Sequence, residues 1–207
     1  MSSLAARYFP TVTPEQERLL SMLPALYADW NERINVISRK DIDNFEISHL
    51  LHSLAIARFI SFAPKTAILD VGTGGGLPGL PLAVIFPEVQ FTLIDSIAKK
   101  IKVVSEIAAA LGLRNVTPVV GRSEDYTGRF EFVICRAVTD MSRLVSQAGH
   151  LISSRQFNSL PNGFICLKGG DLGEELKPFR GKITVTPVSE WFDEPWFETK
   201  KIVYLPW

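Results

Sequence analysis

Long apolar runs are missing from this sequence. No stretch approaches the roughly 20 apolar residues needed to cross a bilayer as a helix, and the opening Met1-Ser2-Ser3-Leu4-Ala5-Ala6-Arg7 lacks the apolar centre of a secretory leader. The expectation is a soluble, cytoplasmic protein with no membrane partner. Cysteine is scarce: Cys135 and Cys166 are the two present, each inside an apolar, strand-like stretch. A free thiol in such a place packs as a small hydrophobe, so neither a disulfide nor a metal site is expected. Net charge is also absent, with 22 basic against 22 acidic residues. The chain therefore lacks the overall positive field of many nucleic-acid binders, although a local basic face remains open to it. Repeats, low-complexity tracts and long linkers are not found.

What is present suffices for a full core, since 46% of the 207 residues are hydrophobic. Thr13, followed by Pro14 and Glu15, reads as a helix start, and Leu19, Leu20, Leu23, Leu26, Tyr27 and Trp30 then recur at helical spacing. A second helix is expected from Asp41 to Phe62, burying Ile42, Phe45, Leu50, Leu54, Ala57 and Phe59. Beyond Pro64 the pattern becomes short β-rich runs, at Ala67–Val71, Gln90–Asp95, Val116–Val120, Phe130–Cys135 and Gly163–Leu167. Helices at Leu80–Phe86, Ile97–Leu111 and Asp140–Ile152 separate them. This alternation predicts an α/β fold, a mostly parallel twisted sheet with helices on both faces. Lys182–Val188 and Lys200–Leu205 follow one another without a helix and predict an antiparallel C-terminal edge. Residues 1–63 then form an N-terminal helical extension packed on a ligand-binding domain of residues 64–207.

The first strand runs into Asp70-Val71-Gly72-Thr73-Gly74-Gly75-Gly76-Leu77-Pro78-Gly79. In open α/β sheets ligands bind beyond the carboxyl ends of the strands, where such a turn offers backbone N–H groups. Taken alone, G-x-G-x-x-G fits a dinucleotide as well. Asp70 discriminates: a carboxylate ending that strand would repel the pyrophosphate of NAD or FAD, whereas S-adenosyl-L-methionine brings a sulfonium and an ammonium. The acid then helps, directly, through water or by bracing the loop. Asp95, closing the second strand, is placed to accept both hydroxyls of a ribose or to cap the following helix. Ser123 and Glu124, after the third strand, sit where an adenine would lie, with solvation as the alternative for Glu124.

With those residues in view, the sequence resembles the bacterial 16S ribosomal RNA guanine-N7 methyltransferases, the glucose-inhibited division protein B family. The likeness runs through Trp30-Asn31-Glu32-Arg33-Ile34-Asn35-Val36, the Leu69–Leu82 turn, Leu93-Ile94-Asp95-Ser96, Arg122 to Glu124, Val133-Ile134-Cys135-Arg136-Ala137 and Leu167-Lys168-Gly169. Its most specific part is the Leu-Pro-Gly closing the glycine turn. The resemblance implies a Rossmann-like class I methyltransferase fold, with cofactor contacts at Gly72, Leu77, Ser123, Glu124 and Arg136; Gly74 and Gly76 of the turn join that set. It also implies 16S ribosomal RNA as partner, free or within a ribonucleoprotein, and a monomeric enzyme. One segment departs: many members read R-H-x-x-D-S where this chain has Ser48-His49-Leu50-Leu51-His52-Ser53, retaining His49 and Ser53 but replacing the arginine and the aspartate.

The chemistry fits what the sequence lacks. There is no Asn/Asp-Pro-Pro-aromatic loop after the fourth strand, where Cys135-Arg136-Ala137-Val138 stands, and no Pro-Cys nucleophile loop. Guanine N7 has a free lone pair and needs neither device. Arg136 and Lys168 are expected to position the substrate, on phosphate or guanine O6, with an ion pair to Asp70 or Asp140 as the alternative for Arg136. His49 either touches substrate or cofactor loop or satisfies a local hydrogen bond. The loop Trp191-Phe192-Asp193-Glu194-Pro195-Trp196-Phe197 either closes the core or stacks bases, and Lys99, Lys100, Lys102 and Arg114 form a modest basic surface. A small-molecule methyltransferase would want a lid and an acid–base residue, and a dehydrogenase a proton donor; neither is identified.

Overall fold

The computed structural model describes residues 4–136 and 140–207. Met1 to Ser3 of the opening segment, and Ala137 and Val138 of the loop after the fourth strand, lie outside the described residues. In chain order the elements are α1 (Leu4–Tyr8), α2 (Pro14–Arg33), α3 (Arg39–Ile42), a π-helical segment (Glu46–Leu51), α4 (His52–Phe59), β1 (Ala67–Val71), α5 (Gly79–Ile85), β2 (Gln90–Asp95), α6 (Ala98–Ala110), β3 (Val116–Val120), β4 (Phe132–Arg136), α7 (Met141–Ala148), β5 (Gly163–Gly169), α8 (Gly173–Leu176), β6 (Thr184–Pro187) and β7 (Lys200–Pro206). No helix among the described residues is long and apolar enough to cross a membrane.

The seven strands form one sheet in the order β3-β2-β1-β4-β5-β7-β6. The first five are parallel, and β7 runs antiparallel to both β5 and β6. The chain winds outward from β1 through β2 to β3, then returns to β4 on the other side. A crevice opens at that reversal, at the carboxyl ends of β1 and β4. The central strands are apolar on both faces because helices cover both: Ile68 and Ile134 enter the larger core cluster, whereas Leu69 and Val133 enter the smaller one on the opposite face. The larger cluster also takes Leu20, Leu23 and Tyr27 of α2 and Leu54 and Ile56 of α4, so the N-terminal helices close one side of the same core.

α2 begins as its sequence dictates. The Thr13 hydroxyl accepts the Gln16 N–H, the Gln16 side chain accepts the Thr13 N–H in return, and Pro14 stands where a missing N–H costs nothing. The helix expected from Asp41 to Phe62 is interrupted instead. Asp and Asn favour turns over helix interiors, and the Ser48 hydroxyl donates to the Asn44 carbonyl at 2.7 Å, so the chain enters α4 through the wider π turn. The expected strand start at Phe130 also shifts: Phe130 makes only an isolated bridge to Ile152, and the strand proper begins at Phe132.

Candidate active site

The glycine turn is held from beneath by Asp70. Its side chain is fully buried, and Oδ2 accepts the Thr73 hydroxyl at 2.6 Å and the Gly79 N–H at 3.0 Å. Oδ1 has no hydrogen-bond partner among the described residues. Burial, only partly offset by those two bonds and by the charge of Arg136, pushes the carboxyl up to about 7. α2 holds the turn from the other side: the buried Tyr27 hydroxyl donates to the Gly75 carbonyl at 2.8 Å. A Cβ at Gly75 would come within 2.9 Å of the Val36 Cβ. Gly76, at φ 101°, adopts a conformation that side chains resist, and an added Cβ would strike Leu80. Asn31 sets this approach, since its Oδ1 accepts the N–H groups of Val36 and Ile37, both at 2.9 Å. The Trp30–Val36 segment is thus a brace for the turn.

Asp95 ties the second strand to the same turn. Its Oδ2 accepts the Gly74 N–H at 3.0 Å, and its Oδ1 the Ile97 N–H at 2.9 Å. The latter bond holds the N–H of Ile97, the residue before α6, from two positions upstream, and the helix itself starts without a side-chain cap. Asp95 also forms the wall of a cleft of about 580 Å³, together with Gly72, Arg122, Ser123, Glu124 and Arg136. The Ser123 hydroxyl donates to Glu124 Oε2 at 3.2 Å, and Gln147 from α7 donates to Oε1 at 3.1 Å. The Glu124 backbone N–H and the Ser123 hydroxyl hold that carboxyl below the usual range. Asp70, Gly74, Gly76 and Leu77 lie outside this lining and shape the turn behind it. The volume falls in the range that encloses a nucleoside-sized ligand. A lining with the carboxylates of Asp95 and Glu124 and with Gly72 at the backbone wall has the chemistry to suit a cationic nucleoside such as S-adenosylmethionine.

A second cleft, of about 440 Å³, adjoins the first and shares Arg136 with it. Its walls come from four separated segments: Ser48, His49 and His52; Leu167, Lys168 and Gly169; Leu172 and Glu175; Trp196 and Lys200. Arg136 donates from Nη1 to His49 Nδ1 at 2.8 Å and to the Ser48 carbonyl at 3.3 Å. The alternative ion pair is not made among the described residues, because Asp70 is engaged by Thr73 and Gly79 and Asp140 accepts the Arg143 N–H to cap α7. Lys168 instead pairs with Glu175, Nζ to Oε1 at 2.8 Å. Burial is the largest single influence on Lys168 and opposes its charge, but the hydrogen bond to Glu175 and the attraction of the groups around it, Cys135, Cys166 and Glu175, together outweigh burial and hold the ammonium pKa above its ordinary value.

Both histidines of this cleft are neutral. Burial, reinforced by Arg136, lowers His49 to about 4 and drives His52 well below its ordinary value. His52 meets Trp196 edge to face at 5.0 Å, and Lys200 Nζ lies 4.2 Å from the centre of the same indole. The aromatic loop divides its labour: Phe192 and Phe197 are buried in the core, whereas Trp196 lines the cleft. Of the basic residues on α6, Lys100 reaches the first cleft, while Lys99 and Lys102 are exposed. Glu175, Gln147 and Arg143 were not singled out in the sequence. Glu175 follows Lys168 across a loop with no local pattern, so only the fold reveals the pair.

Residues 16–192 match the family model GidB, rRNA small subunit methyltransferase G. The chain belongs to this family. Ribosomal RNA small subunit methyltransferase G of Bacteroides thetaiotaomicron is 51% identical over 198 residues, 96% of either chain. Its counterpart from Flavobacterium johnsoniae is 52% identical over 200 residues, 97% of this chain and 95% of the relative. Among solved structures, a SAM-dependent methyltransferase from Aquifex aeolicus superposes with a TM-score of 0.58 at 13% identity, over 82% of this chain and 98% of the other. At that identity the likeness concerns the fold alone. The expected Rossmann-like methyltransferase architecture, with its antiparallel edge, is the one observed.

Proposed function

We propose that this member of the GidB family transfers a methyl group from S-adenosyl-L-methionine to N7 of a guanine in 16S ribosomal RNA, in the cytoplasm. The observation that carries the reading is the meeting of the two clefts at Arg136. One has acids suited to a cationic nucleoside; the other has the room and polarity for a base. The names borne by relatives half identical over nearly the whole chain support the substrate.

When bound, S-adenosylmethionine supplies a methyl on a positively charged sulfur. Asp95 would hold its ribose, Ser123 and Glu124 its adenine side, and Gly72 the backbone approach. Asp70, Gly74, Gly76 and Leu77 act through the shape of the turn, Asp70 by holding the Thr73 hydroxyl and the Gly79 N–H. Arg136 and Lys168 position the RNA. His49, neutral and bonded to Arg136, fixes the guanidinium between the clefts without adding positive charge. Guanine N7 carries a lone pair in the ring plane at neutral pH, so in-line attack requires no general base, and the protein contributes positioning and exclusion of water. Mass-spectrometric mapping of 16S ribosomal RNA from cells with and without the gene tests the assignment. A 7-methylguanosine that disappears with the gene supports it; identical maps overturn it.

A further inference from the structure

The second cleft sets a hydrogen-bond donor beside an acceptor. Lys168 Nζ donates to Glu175 Oε1 at 2.8 Å, and the same oxygen takes the Met141 N–H at 2.8 Å. These two bonds fix the carboxylate from behind. Its other oxygen, Oε2, has no hydrogen-bond partner among the described residues, and the side chain keeps 22% of its surface open. The same cleft is lined by neutral His49 and His52, apolar Leu167 and Leu172, Trp196, and two cations that are engaged elsewhere, Arg136 with His49 and Ser48 and Lys200 over the Trp196 ring.

A phosphate is a poor match for this place. It would meet the Glu175 carboxylate, and the Lys168 charge facing it is already paired. A flat base with its own donors and acceptors fits better. Along its Watson–Crick edge guanine offers an acceptor at O6 and then donors at N1 and the 2-amino group, while adenine offers a donor at N6 and an acceptor at N1. With N7 turned toward Arg136 and the first cleft, the first pattern complements a lysine beside a carboxylate; the second, in that same orientation, sets donor against donor and acceptor against acceptor.

Building on the guanine reading above, we propose that Glu175, held by Lys168 and the Met141 amide, is the specificity-determining residue that reads the Watson–Crick edge of the acceptor guanine. Oε2 accepts from N1–H and the 2-amino group, and Lys168 Nζ reaches O6, which leaves N7 open toward Arg136 and the first cleft. A base read on that edge has surrendered its pairing partner, so the substrate guanine enters unpaired or flipped out of its helix.

Calorimetric titration of the whole protein, saturated with S-adenosylhomocysteine, with GMP, IMP and AMP tests this without any turnover. GMP should bind at least about tenfold more tightly than AMP, with IMP between them because it lacks the 2-amino group. In Glu175→Gln one amide oxygen retains Lys168 and Met141 while an N–H₂ replaces Oε2. The GMP-over-AMP ratio should then fall at least about tenfold, with S-adenosylhomocysteine affinity unchanged. Equal binding of GMP and AMP, no binding of GMP, inorganic phosphate competing as well as GMP, or a ratio unaltered in the variant each overturns the proposal. If Glu175→Gln does not fold, the wild-type order GMP, IMP, AMP decides alone. Methyl transfer to 16S ribosomal RNA, assayed separately with wild-type protein, shows whether the underlying reading fails instead.

Discussion

Nη1 of Arg136 stands 2.8 Å from Nδ1 of His49, and because a guanidinium only donates, the imidazole accepts on Nδ1 and keeps its proton on Nε2. The bond joins the end of β4 to the π-helical segment, so one contact fixes the side chain between the two clefts. It also requires His49 to be neutral.

That requirement sets a pH dependence. With His49 lowered to about 4 in the folded state, the unfolded chain binds more protons between that value and the ordinary histidine pKa of about 6.5. The stabilising contribution is complete above the upper value and is lost as pH falls through the lower one. His52 acts in the same direction. Urea denaturation of wild type and His49→Gln between about pH 4 and 7.5 should show the variant losing less stability on acidification. Parallel curves would contradict a neutral, bonded His49.

Asp70 has the opposite sign. Its carboxyl, raised to about 7, favours the folded state most below its unfolded pKa, and that contribution fades as pH rises toward 7. Asp70→Ala leaves the Thr73 hydroxyl and the Gly79 N–H without their acceptor in a buried place. A loss of about 3 kcal/mol is expected in chemical denaturation, together with weaker cofactor binding as the turn relaxes. Full cofactor affinity in a folded Asp70→Ala protein would show that the brace is dispensable.

Asp95 carries two loads. Asp95→Ala should weaken S-adenosylmethionine binding at least tenfold by calorimetry, about 1.4 kcal/mol. It should also destabilise the fold by about 1–2 kcal/mol, because the Gly74 and Ile97 N–H groups lose their acceptor. Unchanged affinity with reduced stability would confine Asp95 to bracing.

The features legible in the sequence are local ones. Asp70 to Gly79 is a single turn whose residue types are dictated by backbone approach, and the strands announce themselves by short β-rich runs between helical ones. Asp95 could be placed because it ends such a run. The break in the helix after Asp41 was hidden, since the apolar spacing of Phe45, Leu50 and Leu54 continues across the π turn. The second cleft is hidden more deeply: Lys168 is visible beside Gly169, but Glu175, His52, Trp196 and Lys200 meet only through the packing of α8, α4, the loop before β7 and β7 around the end of β5. Asn31 stood in a recognisable segment whose purpose, holding Val36 against Gly75, emerges only from packing.

If the acceptor needs no deprotonation, the chemical step should be indifferent to pH. Single-turnover rates at saturating RNA and cofactor should stay nearly flat from about pH 6 to 8.5. A tenfold rise per pH unit would reveal an essential proton loss and an acceptor other than N7.

The central claim is methyl transfer to guanine N7 across the junction marked by Arg136. It is tested most directly by incubating the purified protein with methyl-labelled S-adenosylmethionine and 16S ribosomal RNA from cells lacking the gene, then digesting the RNA to nucleosides. All of the label should appear in 7-methylguanosine, and Arg136→Ala should abolish most of it. Label in any other nucleoside, or none in RNA while S-adenosylmethionine binds normally, would contradict the account.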